Sequence, residues 1–224
     1  QSDIQLLNYQ STEKGGKITV QVQGEILDYT LPLRGHHFAV NSLIAFAVAA
    51  SLNLDKKQVC QRLQIMPAIK NRGEIYELEL ENKKVVLIDD AYNANLISMK
   101  AGVDVLMDYH SPNQGRRIAI LGEMLELGDY ASQHHAELGY YLNTQKVDVV
   151  YLSGGDVMQH CLGSVSVSKQ GEWVSQPLDL MPSLKANLQN GDVILVKGSK
   201  GSRVSLVVDE LLKVATTKTK IYAR

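Results

Sequence analysis

The sequence contains few of the residues that mark disulfide-rich, membrane-spanning or nucleic-acid-binding proteins. There are two cysteines in 224 residues, Cys60 and Cys161, which lie far apart and show no metal-binding spacing. We therefore expect neither a disulfide framework nor a metal site, and two such thiols are compatible with a reducing cytoplasm. No apolar stretch reaches the roughly 18 uninterrupted residues that a membrane span needs. The formal net charge of −1 excludes a global attraction to nucleic acid or to an anionic membrane.

The common signature motifs of enzymes are also missing. The sequence has no Walker A loop and no GxGxxG, HExxH or GxSxG pattern. The nearest approach to a phosphate loop, Gly15-Gly16-Lys17, lacks the required glycine spacing and the serine or threonine that should follow. The N-terminus shows no signal segment. It begins with Gln1 rather than Met, so we expect a fragment of a longer cytoplasmic protein.

The first part of the chain has the pattern of a small β-structure. Residues 17–23 alternate apolar and polar side chains, which is typical of a half-buried strand. Gly15-Gly16 predicts a hairpin turn before this strand, because glycine adopts positive φ angles at little cost. A further strand is expected near residues 26–31.

Helices follow this hairpin. A helix that is apolar on nearly all sides begins at about Phe38, and such a helix is usually buried. Asp55 and Gln58 have the spacing of a capping box, which predicts a second helix to about Ile65, ended by Pro67.

From about Lys70 the pattern changes to alternating strands and helices. Strands are expected at 75–80, 85–88, 118–121, 147–152 and 193–196, and helices at 97–109, 130–144, 178–189 and 202–214. Three of these strands are continuous apolar runs, which is typical of parallel strands covered on both faces. The sequence therefore predicts a Rossmann-like α/β domain over residues 70–224, with a boundary near residues 68–71 and a frayed tail from about residue 216.

One polar string lies at the start of the apolar helix, and another lies just after the predicted domain boundary. In Gly35–Asn41, His37 and Asn41 are four residues apart at a helix start, so they share a face and can contact a planar ligand. The alternative is a buried capping asparagine and a surface histidine. Arg72 follows the boundary, where its planar guanidinium can bind a phosphate group or form an ordinary loop ion pair.

Three further polar strings follow predicted strands of the α/β domain. They are Asp89–Asn95 (DDAYNAN), Gly122–Gly128 (GEMLELG) and Val196–Ser202 (VKGSKGS). Ligands of open α/β sheets gather at the carboxyl ends of the strands, and a helix N-terminus with nearby lysines suits an anion. The alternatives are a helix cap at Asn95 and solvated loops at the other two strings.

These strings, taken together and in order, resemble the Mur ligase family of ATP-dependent amide ligases. The resemblance covers residues 31–212, and DDAYNAN and GEMLELG are its most specific parts. It implies that residues 1–69 are the C-terminal part of a central ATPase domain and residues 70–224 a Rossmann-like C-terminal ligase domain. It also implies a cytoplasmic monomer that uses ATP and Mg²⁺ to join D-alanyl-D-alanine to a UDP-N-acetylmuramoyl-tripeptide through an acyl phosphate. The family's phosphate loop and metal-binding acids would precede Gln1, so we expect this fragment alone to be inactive.

The resemblance also implies roles for single residues. His37 and Asn41 match the family's contacts to adenine, and Arg72 matches an arginine that reaches the ATP phosphates and is the expected catalytic residue. Asp90 matches an aspartate near the ribose, with Asn93 beside it.

The last string implies a contact with the second substrate. Lys197 and Ser199 match a loop that faces the peptide substrate. Two positions depart from the family pattern: Phe38 stands where asparagine is usual, which puts one adenine contact in doubt, and Lys200 stands where arginine is usual, which removes bidentate geometry.

Two other functions stay open at this point. One is a different Mur-type amide ligase, similar to folylpolyglutamate synthase, against which DDAYNAN and GEMLELG argue. The other is a non-catalytic Rossmann-like binding module that acts alone.

Overall fold

The computed structural model describes residues 3–12, 14–67, 69–109 and 115–221. They form two compact units, the smaller within residues 1–69 and the larger spanning Lys70–Ile221. Each unit has a hydrophobic core of its own.

The smaller unit contains a three-stranded antiparallel sheet of β1 (Ile4–Thr12), β2 (Gly15–Val22) and β3 (Glu25–Leu31), in that order. Along β2 the buried side chains of Ile18, Val20 and Val22 alternate with more exposed ones, which confirms the predicted half-buried strand. Gly15 and Gly16 begin β2 instead of forming the turn that we expected. A Cβ at Gly15 would lie 1.9 Å from the Leu31 carbonyl oxygen, so glycine is required by the close approach of β3.

Two helices, α1 (His36–Ser51) and α2 (Lys56–Gln64), complete the smaller unit. The expectation that the first helix is buried on all sides is wrong within this unit. It buries a strip that contains Phe46, whereas Val40, Ile44 and Val48 are 43%, 64% and 51% exposed. This strip packs against the three-stranded sheet, whereas the opposite apolar face of the helix lies outside the core that the strip and the sheet form. Asp55 caps α2 as expected. Its carboxylate accepts from the backbone N–H of Lys57, however, and not from that of Gln58.

The larger unit is built on a seven-stranded sheet. Its strands are β4 (Glu74–Leu80), β5 (Lys83–Asp90), β6 (Arg117–Gly122), β7 (Val149–Ser153), β8 (Gln170–Val174), β9 (Val193–Lys197) and β10 (Thr217–Ile221). The order across the sheet is β10-β4-β5-β9-β6-β7-β8. Strands β5, β9, β6, β7 and β8 run parallel, and β4 and β10 are antiparallel at one edge. All five strands predicted from the sequence are confirmed; β8 and β10 were not predicted.

Five helices cover both faces of this sheet. They are α3 (Leu96–Asp108), α4 (Ala131–Thr144), α5 (Met158–Ser164), α6 (Met181–Asn187) and α7 (Ser205–Val214). The first three pack on one face and the last two on the other. Within β5, Val86 and Ile88 belong to one core and Val85 and Leu87 to the other, which explains the continuous apolar run. None of the helices in the described ranges is long and apolar enough to cross a membrane.

One expectation for the C-terminal segment is wrong. Residues 217–221 are not a frayed tail but the edge strand β10, which pairs with β4 from Thr217 opposite Glu79 to Ile221 opposite Ile75. The segment is rich in lysine and threonine. Such charged, β-branched strands are suited to an exposed sheet edge, where lysine also discourages pairing with other chains.

Strand β9 is the point where the direction of the connections reverses. It lies between β5 and β6, and the helix that follows it, α7, covers the opposite face from α3 and α4, which follow those neighbours. The carboxyl ends of these three strands are the usual ligand position in an open α/β sheet, and the region between their loops is called the crevice below.

Candidate functional site

Three of the predicted polar strings meet at this end of the sheet. Strand β5 ends at Asp90, β6 at Gly122 and β9 at Lys197. In the parallel register Asp90 lies opposite Lys197, and Lys197 lies opposite Leu121 on its other side. The strings that are far apart in the sequence therefore become neighbours through β9.

Lys197 and Asp90 form an ion pair at the centre of the site. Lys197 Nζ lies 2.6 Å from Asp90 Oδ2 and also donates to the Asn93 carbonyl oxygen at 3.2 Å. The Lys197 side chain is 4% exposed and that of Asp90 is 17% exposed, so solvent screens the pair weakly. The aliphatic part of the Lys197 side chain passes close to Gly102 of α3, where a Cβ would lie 2.7 Å from Lys197 Cδ.

Ser199 connects two of the loops. Its backbone N–H donates to the Glu123 carbonyl oxygen at 3.1 Å, and its Oγ accepts from the Leu125 N–H at 3.0 Å. Ser199 is buried. These two hydrogen bonds join the VKGSKGS loop to the GEMLELG loop and fix the carboxyl ends of β9 and β6 relative to each other.

A buried histidine supports the GEMLELG loop from α4. His135 Nε2 accepts from the Met124 N–H at 3.0 Å, while Nδ1 lies 2.7 Å from the Ala131 carbonyl oxygen and donates to it. These two partners require the neutral ring with its proton on Nδ1. Burial lowers the pKa of His135, which agrees with that state. From the sequence, the His134-His135 pair gave no reason to choose between the two.

Asp89 organises the loop that carries Arg72. Its carboxylate accepts from Asn71 Nδ2 at 3.1 Å and from the Ala91 N–H at 3.2 Å, and its carbonyl oxygen accepts from the Gly73 N–H at 2.8 Å. Burial raises the pKa of Asp89 to about 6, against the opposing effect of these hydrogen bonds. Asp89 was not among the residues predicted for the site, although it precedes Asp90 directly in the sequence.

Arg72 is exposed and lies against the DDAYNAN loop. Its guanidinium carbon is 4.2 Å from the centre of the Tyr92 ring, and Lys200 Nζ is 5.9 Å from the same centre. Arg72, Asp90, Asn93, Lys197 and Ser199 thus all lie at one end of the larger unit's sheet. Whether they bind nucleotide and peptide stays a prediction.

His37 and Asn41 belong to the smaller unit, where they occupy the first turns of α1. The His37 ring contacts the Phe38 ring at a tilt of 40°, with ring centres 4.0 Å apart. Asn41 is exposed and lines an open groove of about 550 Å³. The groove is otherwise mostly apolar; its lining includes Leu31, Phe38, Ile44, Val48, Leu63 and Met66. The adenine contact of His37 and Asn41 stays a prediction.

The described part of the chain offers no group of three or more His, Cys, Asp or Glu side chains placed to hold a metal ion. The expectation that Mg²⁺ takes part in the reaction stays a prediction.

Comparison with known proteins identifies the family of this chain. The family model described as "Mur ligase, glutamate ligase domain" matches residues 71–200, more than half of the chain. This chain belongs to the Mur ligase family.

Several curated relatives share one name within that family. The UDP-N-acetylmuramoyl-tripeptide–D-alanyl-D-alanine ligase of Synechocystis sp. is 35% identical over 205 residues, which cover 89% of this chain and 43% of the relative. The ligase of the same name from Escherichia coli is 30% identical over 217 residues, covering 96% of this chain and 46% of the relative. The chain thus spans less than half the length of these relatives.

Solved structures show the same fold. MurF from Acinetobacter baumannii superimposes with a TM-score of 0.80 at 21% identity, covering 94% of this chain and 45% of that one. MurF from Thermotoga maritima in complex with ADP gives 0.79 at 21% identity, covering 96% and 47%. A folylpolyglutamate synthase from Mycobacterium tuberculosis gives a TM-score of 0.63 at 18% identity, covering 92% and 48%.

Proposed function

We propose that this chain is the C-terminal part of an ATP-dependent ligase that adds D-alanyl-D-alanine to UDP-N-acetylmuramoyl-tripeptide in peptidoglycan synthesis. The observation that carries the proposal is the convergence of DDAYNAN, GEMLELG and VKGS around β9, in a chain 35% identical to a ligase with this activity in its name. Such a crevice at the reversal point of an α/β sheet is where substrates bind in this fold class.

The two units divide the work in this proposal. Residues 1–69 are the end of a central ATPase domain, in which His37 and Asn41 contact adenine. Residues from Lys70 onward are the C-terminal domain, in which Arg72 binds a phosphate group and Asp90 and Asn93 lie near the ribose.

The buried ion pair refines the assignment of the remaining residues. Because Lys197 donates to both Asp90 and the Asn93 carbonyl oxygen, it holds the ribose-side loop in place. Ser199 is engaged with the backbone of Leu125 and so acts on the peptide substrate through the position of that loop.

In the proposed reaction the tripeptide carboxylate attacks the γ-phosphorus of ATP and releases ADP, with Mg²⁺ bound by residues of the longer protein. The amine of the dipeptide then attacks the acyl phosphate carbon and loses a proton, and inorganic phosphate departs as the amide forms. The exposed guanidinium of Arg72 is suited to stabilise the negative charge that shifts between phosphate oxygens.

The test is a ligation assay on the longer protein that contains this chain. We expect ATP-dependent product formation from the tripeptide precursor and D-alanyl-D-alanine, and none from a folate and glutamate. Arg72→Ala should lower the turnover rate roughly 30- to 1000-fold, since a lost contact to transferred phosphate costs about 2–4 kcal/mol. Asp90→Ala should act mainly on the Michaelis constant for ATP.

The control is Lys213→Ala, which removes an exposed cation on α7 and should leave turnover unchanged. The 224-residue chain by itself should release no phosphate from ATP. Amide formation with glutamate but not with the dipeptide would show that the folylpolyglutamate-type alternative is correct. Binding of ATP without any ligation would favour a non-catalytic module.

A further inference from the structure

Two cations share one aromatic ring at the edge of the crevice. Arg72 lies in the loop before β4, Tyr92 in the loop after β5 and Lys200 in the loop after β9. The Arg72 guanidinium carbon and Lys200 Nζ lie 4.2 and 5.9 Å from the centre of the Tyr92 ring. All three residues are exposed, so a ligand from solvent can reach them.

Neither cation is neutralised by a neighbouring acid. Within residues 3–12, 14–67, 69–109 and 115–221, no carboxylate oxygen lies within 4.0 Å of the charged nitrogens of Arg72 or Lys200. The two acids closest in sequence to Tyr92 are engaged elsewhere, because Asp89 is bonded to Asn71 and Asp90 to Lys197. The charges of both side chains therefore remain available to an anion from solvent.

The tyrosine ring holds a cation without cancelling its charge. A guanidinium over an aromatic face is attracted to the π electrons, yet its N–H donors point outward in its own plane. An aspartate in the place of Tyr92 would orient Arg72 equally well but would occupy those donors. Arg72 is thus positioned and still free to bind a planar or tetrahedral oxyanion.

We propose that Arg72, Tyr92 and Lys200 form a binding site for one small oxyanion, to which both cations contribute and in which the tyrosine ring positions Arg72. This site deepens the proposed function and rests on it for the choice of ligand: the oxyanion is either a phosphate group or a substrate carboxylate. Lys200 is the residue that this proposal adds to the site. It binds the oxyanion and is not simply a lysine on the solvated surface.

The experiment is a titration of the ¹⁵N-labelled 224-residue chain followed by NMR. Inorganic phosphate and acetate are the two probes, added separately at constant ionic strength. We expect saturable shifts of the Arg72 side-chain Nε–H and of backbone signals at Tyr92 and Lys200. Tighter binding of phosphate would assign the site to a phosphate group, and tighter binding of acetate would assign it to a carboxylate.

Variants separate this site from general electrostatic attraction. Arg72→Ala and Lys200→Ala should each weaken binding about two- to fivefold, the upper part of the range for a charged contact at an accessible site. Lys200→Arg should tighten it, because a guanidinium binds an oxyanion through two N–H groups. Tyr92→Phe keeps the ring and should stay within about twofold of the parent chain, whereas Tyr92→Leu should weaken binding as Arg72→Ala does.

The matched control is Lys213→Ala, which removes an exposed positive charge from α7. Equal weakening by Lys213→Ala and Lys200→Ala, or no saturable shift with either probe, would overturn the proposal. So would unchanged binding in Lys200→Ala when its spectrum shows an intact fold. Ligation by the longer protein does not enter this measurement, so a chain that fails to bind phosphate leaves the proposed ligase activity standing. Conversely, a chain that binds phosphate, together with a longer protein that fails to ligate, would support the oxyanion site and contradict the proposed ligase activity.

Discussion

Lys197 Nζ lies 2.6 Å from Asp90 Oδ2, and this contact ties the carboxyl end of β9 to that of β5 across 107 positions of sequence. The two strands are parallel neighbours in which Asp90 lies opposite Lys197. Two residues that the sequence assigned to different ligands are therefore one structural element of the crevice.

Removal of the Lys197 amine should destabilise the larger unit. In Lys197→Met the side chain at position 197 keeps a similar volume, but the mostly buried Asp90 carboxylate loses its charged partner. We expect the free energy of unfolding in urea, followed by circular dichroism, to fall by about 1–3 kcal/mol, less than for a fully buried pair. Lys213→Met, at the exposed pair with Glu210, should cost less than about 0.5 kcal/mol. Equal small losses in both variants would contradict a stabilising role for the pair.

Gly102→Ala tests the same region through the helix that packs against Lys197. Alanine favours a helix by about 1 kcal/mol over glycine, but its Cβ would lie 2.7 Å from Lys197 Cδ. We expect a net loss of about 1–2 kcal/mol in the parent chain. In a Lys197→Ala background the same change should instead raise the free energy of unfolding.

The matched control is Gly163→Ala on α5, where a Cβ would meet nothing within 4 Å. It should be stabilising or neutral in both backgrounds. If Gly102→Ala has the same sign with and without Lys197, the close contact does not govern that position.

The buried Asp89 should make stability depend on pH between about 4 and 6. Its pKa is raised to about 6 in the folded chain from an ordinary value of 3.8, because burial disfavours the carboxylate. The folded state then binds a proton that the unfolded state has released, so the free energy of unfolding falls as pH rises through this window. The contribution is at most about 3 kcal/mol, since one pKa unit corresponds to about 1.4 kcal/mol.

Urea denaturation at several pH values from 4.5 to 7.5 measures this effect. Asp89→Asn should abolish the contribution, so the advantage of the parent chain over the variant should shrink as pH rises. Asp209→Asn, at an exposed aspartate on α7, serves as the control. A difference between parent and Asp89→Asn that stays constant with pH would refute the prediction.

His135 should have the opposite pH dependence. Burial lowers its pKa in the folded chain, whereas the unfolded chain takes up a proton near pH 6.5. The stability that neutral His135 gives is thus fully present above pH 6.5 and is lost as pH falls below it. His135→Phe leaves the Met124 N–H without its acceptor and should cost about 1–3 kcal/mol at pH 7.5.

The cost of His135→Phe should become smaller toward pH 5, as measured by urea denaturation. His36→Phe, at an exposed histidine of α1 in the smaller unit, serves as the control. A cost for His135→Phe that grows toward low pH would contradict the neutral, Nδ1-protonated state.

The sequence predicts the core of the larger unit well because the signal there is strong. Continuous apolar runs such as Val85–Ile88 arise only where both faces of a strand are covered, and the structure covers both. The segments that escaped prediction, α5 and β8, have seven and five residues, too few to establish a helical or alternating period. The charged segment β10 has no recognisable strand pattern in the sequence, and it is identified as a strand only by its pairing with β4.

The site was predicted at the level of loops but not of single side chains. In a strand, adjacent residues point to opposite faces, so one of Asp89 and Asp90 turns toward Asn71 and the other toward Lys197. Sequence alone does not tell which carboxylate has which neighbour. The platform formed by Tyr92 under Arg72 likewise depends on the tertiary approach of two loops.

The position of β9 has a consequence for the order in which the larger unit can be assembled during synthesis. Strands β5 and β6 do not pair with each other; β9 joins them, and it is made after every other parallel strand. A chain that stops short of residue 193 lacks the strand that joins β4–β5 to β6–β8. The ion pair between Lys197 and Asp90 requires that same last parallel strand.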